Sequence, residues 1–84
     1  MNGPPMTLYS TSTCGPCIRL KQRLTDLGIA FREVDVEVDE KAGAWVSAVN
    51  AGDRVVPTVR FVDGSWLTNP SADAVVERLA TIGR

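Results

Sequence analysis

Two cysteines stand two residues apart at the start of a helical pattern, and the 84 residues hold no other cysteine and no histidine. The segment is Cys14-Gly15-Pro16-Cys17, and a short apolar strand over residues 6–10 runs directly into it. On one helical turn, two such thiols approach to disulfide distance. The first also lies at a helix N-terminus, where unpaired backbone N–H groups and the helix dipole stabilise a thiolate. A thiolate that its own neighbour can attack suits reversible thiol–disulfide exchange.

The loop between these cysteines is too small to staple a fold. A pair spaced in this way beside a βαβ pattern reads as a redox motif and implies a reducing, cytoplasmic compartment. A zinc site needs about four ligands. With no histidine and no third cysteine, one copy of the chain cannot supply them, so no metal is expected. An iron–sulfur cluster shared between two chains stays open as an alternative. Nine basic and ten acidic residues leave a formal charge of −1, which gives no footing for nucleic acid or a membrane surface. No run reaches the roughly 20 apolar residues of a membrane-spanning helix, and the first residues lack the pattern of a signal peptide. The length suits one domain with a thin core. Residues 1–5 read as a flexible lead-in and 6–84 as the domain.

Along the chain, Pro16 falls near the first helical position, where it costs nothing. Cys17, Leu20, Leu24 and Leu27 recur on one helical face, and Gly28 is the stop signal. Residues 31–36 alternate as a second strand, with Val34 and Val36 on one side and Glu33 and Asp35 on the other. Asp39 can cap a second helix with apolar positions Ala42, Trp45, Val46 and Val49, ended by Gly52. Residues 56–62 and 65–68 read as two strands joined by a two-residue Asp63-Gly64 turn. Asn69 and Pro70 read as cap and first residue of a third helix, whose buried stripe is Ala72, Val75, Val76, Leu79 and Ile82. The order β-α-β-α-β-β-α predicts an α/β fold: a mixed four-stranded sheet with three helices. Its first two strands should be parallel and its last hairpin antiparallel.

This order, with the cysteine pair opening the first helix and Val56-Pro57 opening the third strand, resembles the thioredoxin fold. The length and the lack of an extra N-terminal β-α unit point to its glutaredoxin branch. The resemblance extends to actinobacterial mycoredoxins, glutaredoxin-like proteins that use mycothiol. It is carried by Leu8-Tyr9-Ser10-Thr11-Ser12-Thr13-Cys14, by residues 46–52, by Arg54-Val55-Val56-Pro57-Thr58-Val59, by Asp63-Gly64-Ser65 and by Leu67-Thr68-Asn69-Pro70-Ser71-Ala72-Asp73. Three differences stand out. Gly15-Pro16 is the dipeptide usual in thioredoxins, though Thr13 stands where those carry tryptophan. Thr11 stands where many glutathione-using members place a lysine. Asn69-Pro70 replaces their Gly-Gly.

Cys14, nearest the free N–H groups, should be the exposed nucleophile. Cys17, on the apolar face, should be the buried resolving thiol. Thr13, Gly15, Pro16 and Pro57 should support the groove, and the resemblance implies a cis bond at Val56–Pro57 that turns the Val56 backbone toward Cys14. Candidate contacts for a thiol substrate are Tyr9, Arg54, Val55, Val56, Thr68, Asn69, Ser71 and Asp73. Asn69, Ser71 and Asp73 also serve as helix-capping residues. Tyr9, Trp45 and Trp66 read first as core packing, with Tyr9 having the best functional claim because the first strand ends at the motif, and a solvated loop charge is the default for Arg54.

The resemblance implies a monomeric oxidoreductase that reduces mixed disulfides between proteins and a small thiol. Mycothiol would be the co-substrate, no bound cofactor is needed, and the partners would be oxidised client proteins and an external reductase. Two other readings stay open. One is a thioredoxin-like dithiol reductase recharged by a flavoprotein; the other is a cluster-binding module.

Overall fold

A computed structural model describes residues 5–83, so most of the expected lead-in lies outside the described residues. The elements follow in the order β1 (Met6–Ser10), α1 (Gly15–Asp26), β2 (Arg32–Asp35), α2 (Glu40–Val49), β3 (Thr58–Phe61), β4 (Trp66–Thr68) and α3 (Ala72–Ile82). They form one four-stranded sheet in the order β2-β1-β3-β4. β1 pairs parallel with β2 and antiparallel with β3, and β3 pairs antiparallel with β4. This is the mixed α/β sheet expected from the element order, and the thioredoxin-type architecture that the resemblance implied.

The sheet register divides the core. Leu8, Val59 and Leu67 lie opposite one another across β1, β3 and β4, and Met6 faces Phe61. With Leu20 and Leu24 of α1 and Ala72 and Val75 of α3 they build the larger apolar cluster. Tyr9 belongs to the opposite face, level with Val34. There it packs with Val36 and with Trp45 and Val46 of α2. The Trp45 ring lies 5.0 Å from that of Tyr9, and Trp66 meets Trp45 edge-on at 5.9 Å. Arg60 places its guanidinium 4.6 Å from the centre of the Trp45 ring.

Several element ends differ from the periodic reading, each for a local reason. Leu27 is exposed, although it continues the apolar face of α1. Gly28, at φ 73°, closes the helix there. The N–H of Ile29 reaches the Leu24 carbonyl at 2.9 Å and that of Gly28 the Thr25 carbonyl at 3.0 Å. This double bond pattern turns the chain, so Ile29 takes the core position in place of Leu27. Four residues, Val62 to Ser65, separate β3 from β4, and the Phe61–Ser65 pair closes a loop of three residues rather than two: Val62, Asp63 and Gly64. The Gly64 N–H bonds the Phe61 carbonyl at 3.0 Å, and the Phe61 N–H bonds the Ser65 carbonyl at 2.8 Å. Gly64, at φ 90°, supplies the left-handed residue that a three-residue hairpin needs. Asp63 accepts from the Ser65 hydroxyl and backbone N–H, and these bonds hold its carboxyl below the usual range.

The cap of α3 is Ser71, not Asn69: its hydroxyl accepts the Ala74 N–H at 3.1 Å. Val76 is exposed because the buried stripe of α3 runs through Ala72 and Val75. β3 starts at Thr58, since Pro57 has no N–H for a ladder and stands just ahead of the strand. Asp39 caps α2 as expected, accepting the Ala42 N–H at 3.0 Å. α2 ends at Val49 with Asn50 as its C-cap, three residues before Gly52.

Leu24 is fully buried, whereas Val76 is 41% exposed. Leu24→Ala should cost about 2–5 kcal/mol of unfolding free energy. Val76→Ala should stay within about 0.5 kcal/mol. Urea unfolding of both variants checks the assignment; equal losses would return Val76 to the core.

Candidate active site

The cysteine motif lies where β1, the second strand of the sheet, delivers the chain to α1. Ser12 and Thr13 form the turn, and the Cys14 N–H points back to the Thr11 carbonyl at 3.5 Å. Cys14 is the N-cap of α1, with extended backbone at φ −88° and ψ 108°. Its Sγ accepts the Cys17 N–H at 3.1 Å. A sulfur therefore occupies the position of an ordinary capping oxygen, and it receives one of the helix's free donors. Pro16 falls in the first turn, where its missing N–H has no partner to lose.

The two sulfurs are joined as a disulfide, with the Cα atoms 5.2 Å apart. Cys14 is half-buried, while Cys17 is fully buried on the inner face of α1. An incoming sulfur can thus reach Cys14 and not Cys17. Thr13 and Pro16 are exposed beside the pair, and Gly15 lies under the guanidinium of Arg19.

Residues 55–57 cross in front of Cys14. Its Sγ lies 3.7 Å from the Val56 carbonyl oxygen. The Val56–Pro57 bond is cis. The carbonyls on either side of Val56 are both engaged. The Thr58 hydroxyl donates to Val55 O at 2.8 Å, and the Asn69 N–H donates to Pro57 O at 2.7 Å. Pro57 and Thr58 are buried, while Val55 and Val56 stay partly open.

A cleft of about 290 Å³ opens between α1 and the start of α3. Asn69, Ser71 and Asp73 line one wall, as the capping segment suggested. Pro16, Arg19 and Arg23 of α1 line the other. Arg19 and Arg23 were not among the candidates. Their signal was nonetheless in the sequence, because Pro16, Arg19 and Arg23 share one helical face at i, i+3 and i+7. Both bring positive charge to the same mouth.

The remaining candidates lie elsewhere or are already occupied. Tyr9 is 8% exposed and packed against Trp45 with the two rings tilted by 34°. The Thr68 hydroxyl donates to Asn50 Oδ1. Arg54 folds its guanidinium against Gly43 of α2, close enough that a Cβ at Gly43 would meet it at 3.2 Å. On the other flank of β1, the Ser10 hydroxyl and Lys21 each donate to Glu33 at 2.7 Å. Lys21 first and Ser10 second hold the Glu33 carboxyl below the usual carboxylate range. Among the described residues, no group of three or more His, Cys, Asp or Glu side chains could hold a metal ion.

Asn69 has φ 47°, in the left-handed region that a branched side chain avoids. In that conformation its N–H donates to the Pro57 carbonyl at 2.7 Å. Asn69→Val should lose about 1–2 kcal/mol of stability, and Asn69→Gly should lose less. Chemical denaturation of the two variants decides; a Val variant as stable as the Gly variant would mean that the strained backbone is not required.

The glutaredoxin family model matches residues 6–67, from the start of β1 into β4. A Mycobacterium tuberculosis protein described as a glutaredoxin is 54% identical over 77 residues, covering 92% of each chain. Mycoredoxin 1 of Corynebacterium glutamicum is 42% identical over 77 residues, covering 92% of this chain and 95% of its own. Among solved structures, the buckwheat glutaredoxin–glutathione complex superposes with a TM-score of 0.65 at 26% identity, covering 93% of this chain and 70% of that one. With a capping cysteine, a buried partner and a facing Val56-Pro57 segment, the chain belongs to the glutaredoxin family of thiol–disulfide oxidoreductases.

Proposed function

We propose that this glutaredoxin reduces mixed disulfides between client proteins and a small thiol, with mycothiol as its reducing co-substrate. The observation that carries the reading is a half-buried Cys14 capping α1, the same helix whose Arg19 and Arg23 face Asn69 and Asp73 across a cleft. The likeness to a mycoredoxin supports mycothiol over other thiols.

The cycle uses sulfur chemistry throughout. The Cys14 thiolate attacks the small-thiol sulfur of the client's mixed disulfide. That S–S bond breaks, the client leaves as a thiolate, and Cys14 now carries the small thiol. A second small thiol, as thiolate, attacks that same small-thiol sulfur and releases Cys14 as thiolate. The product is the disulfide of the small thiol, so two thiols supply the two electrons. Cys17 offers a second exit: as thiolate it attacks Cys14 sulfur, expels the small thiol and leaves the Cys14–Cys17 disulfide. With no histidine in the chain, protons exchange with water, Cys17 or a carboxylate. On this reading the chain acts as a monomer in the cytoplasm, where thiols are kept reduced.

Gly15-Pro16, the dipeptide usual in thioredoxins, favours a second reading. In it, the protein reduces internal disulfides of clients and is recharged by a flavoprotein reductase. To separate the two, the disulfide form is offered in turn to mycothiol, to glutathione, and to thioredoxin reductase with NADPH. Mycothiol should reduce it fastest, and Cys17→Ser should keep turnover on a small-thiol mixed disulfide while losing reduction of internal protein disulfides. Reduction by the flavoprotein alone, with loss of both activities in Cys17→Ser, would sink the mixed-disulfide reading in favour of the dithiol one.

A further inference from the structure

Asn50 belongs to no group of residues that touches the cysteines, yet each polar atom of its side chain is committed. Its Nδ2 donates to the Val46 carbonyl at 2.9 Å and to the Thr58 hydroxyl at 3.3 Å. Its Oδ1 accepts from the Thr68 hydroxyl. Its backbone N–H donates to the Ser47 carbonyl at 3.2 Å, which fixes it as the C-cap of α2. One residue therefore binds the end of α2 to β3 and to β4 together.

Both bonds continue to the strip of chain in front of Cys14. Thr58 is fully buried, and its hydroxyl passes its own proton to Val55 O at 2.8 Å. Thr68 directly precedes Asn69, whose N–H holds Pro57 O at 2.7 Å. The two arms meet on either side of Val56, whose carbonyl lies 3.7 Å from Cys14 Sγ. A buried hydroxyl accepts whatever donor geometry allows, so an oriented amide at Asn50 dictates which way the Thr58 proton points. Without that amide, Thr58 can turn away from Val55, and the end of β4 loses its tie to α2.

We infer that Asn50 is the positioning residue for the Val56 backbone at the substrate side of Cys14, acting through Thr58 on one arm and Thr68 on the other. The inference rests on the function proposed above, in which a substrate disulfide meets Cys14 beside Val56. Its effect falls on how substrate is seated. The Cys14 thiolate is served by Cys17 N–H, which belongs to α1 and not to this network. Asn50 should thus alter KM more than the ionisation of Cys14, which the Val56 carbonyl at 3.7 Å from Sγ touches only through space.

The test uses the full chain in three forms: the parent, Thr68→Val and Asn50→Ala. Thr68 is exposed and valine keeps its shape, so this variant folds even if Asn50→Ala does not. The substrate is a peptide cysteine in mixed disulfide with mycothiol. Thr68→Val should raise KM about fivefold, the equivalent of one hydrogen bond of about 1 kcal/mol, with kcat little changed. Asn50→Ala should raise it further. Thiolate absorbance at 240 nm should show Cys14 still ionising well below the free-thiol value in each variant that folds. Amide exchange of the Asn69 N–H, slow in the parent, should quicken in both. Damage that is purely structural would lower the melting temperature without moving KM of the folded protein. An unchanged KM in folded Thr68→Val, or a Cys14 titration returned to the free-thiol value, would overturn the inference. If the parent itself turned over no mixed disulfide, the proposed function would fail, and Asn69 exchange alone would then decide whether Asn50 anchors the strip.

Discussion

The bond from the Cys17 N–H to the Cys14 sulfur is the interaction on which the site depends. It makes the nucleophile a helix cap, so the reactivity of Cys14 and the start of α1 have one cause. Everything that fixes α1 also fixes the sulfur. Leu20 and Leu24 seat the helix on the sheet, and the buried Cys17 side chain is part of that same face. β1 lies between β2 and β3, so the turn that presents Cys14 is supported by strands on both sides. The first helical turn holds no acidic residue, which leaves the dipole's positive end to the sulfur.

The second requirement is a backbone surface held across from Cys14. Residues 55–57 provide it without regular secondary structure, and carbonyl bonds from Thr58 and Asn69 keep the strip in place. This arrangement explains two residues that packing alone does not. Thr58 is a polar side chain in a fully buried position, and Asn69 adopts a left-handed backbone. Each is accounted for by the carbonyl it serves. The opposite face of the sheet is closed by Tyr9, Trp45 and Trp66, aromatic bulk that a domain of this size needs to complete a core.

The parts legible in the sequence were those set by local pattern. Alternation and the cysteine pair gave β1, the start of α1 and the element order, and Asp39 announced the start of α2. What escaped was set by bonds between segments distant in sequence. Asn69 followed by Pro70 looks like a cap, but its N–H is drawn to Pro57, and Ser71 takes the capping role. Leu27 fits the helical period, yet the turn at Gly28 hands its place to Ile29. Asn50 lies in the 46–52 stretch that carries the resemblance, but nothing local announces its bonds, since its partners Thr58 and Thr68 are 8 and 18 residues away. Arg19 and Arg23 could have been found from helical spacing. They became candidates only once α3 was seen to supply the other wall of the cleft.

The account stands on Cys14 being the reactive thiolate because it caps α1. Alkylation of the reduced protein with iodoacetamide across pH, with the modified cysteine located by peptide mapping, tests this most directly. Cys14 should react first, through an ionisation well below the free-thiol value of about 8.5, while buried Cys17 is spared. First modification of Cys17, or a Cys14 that ionises at or above the free-thiol value, would contradict it.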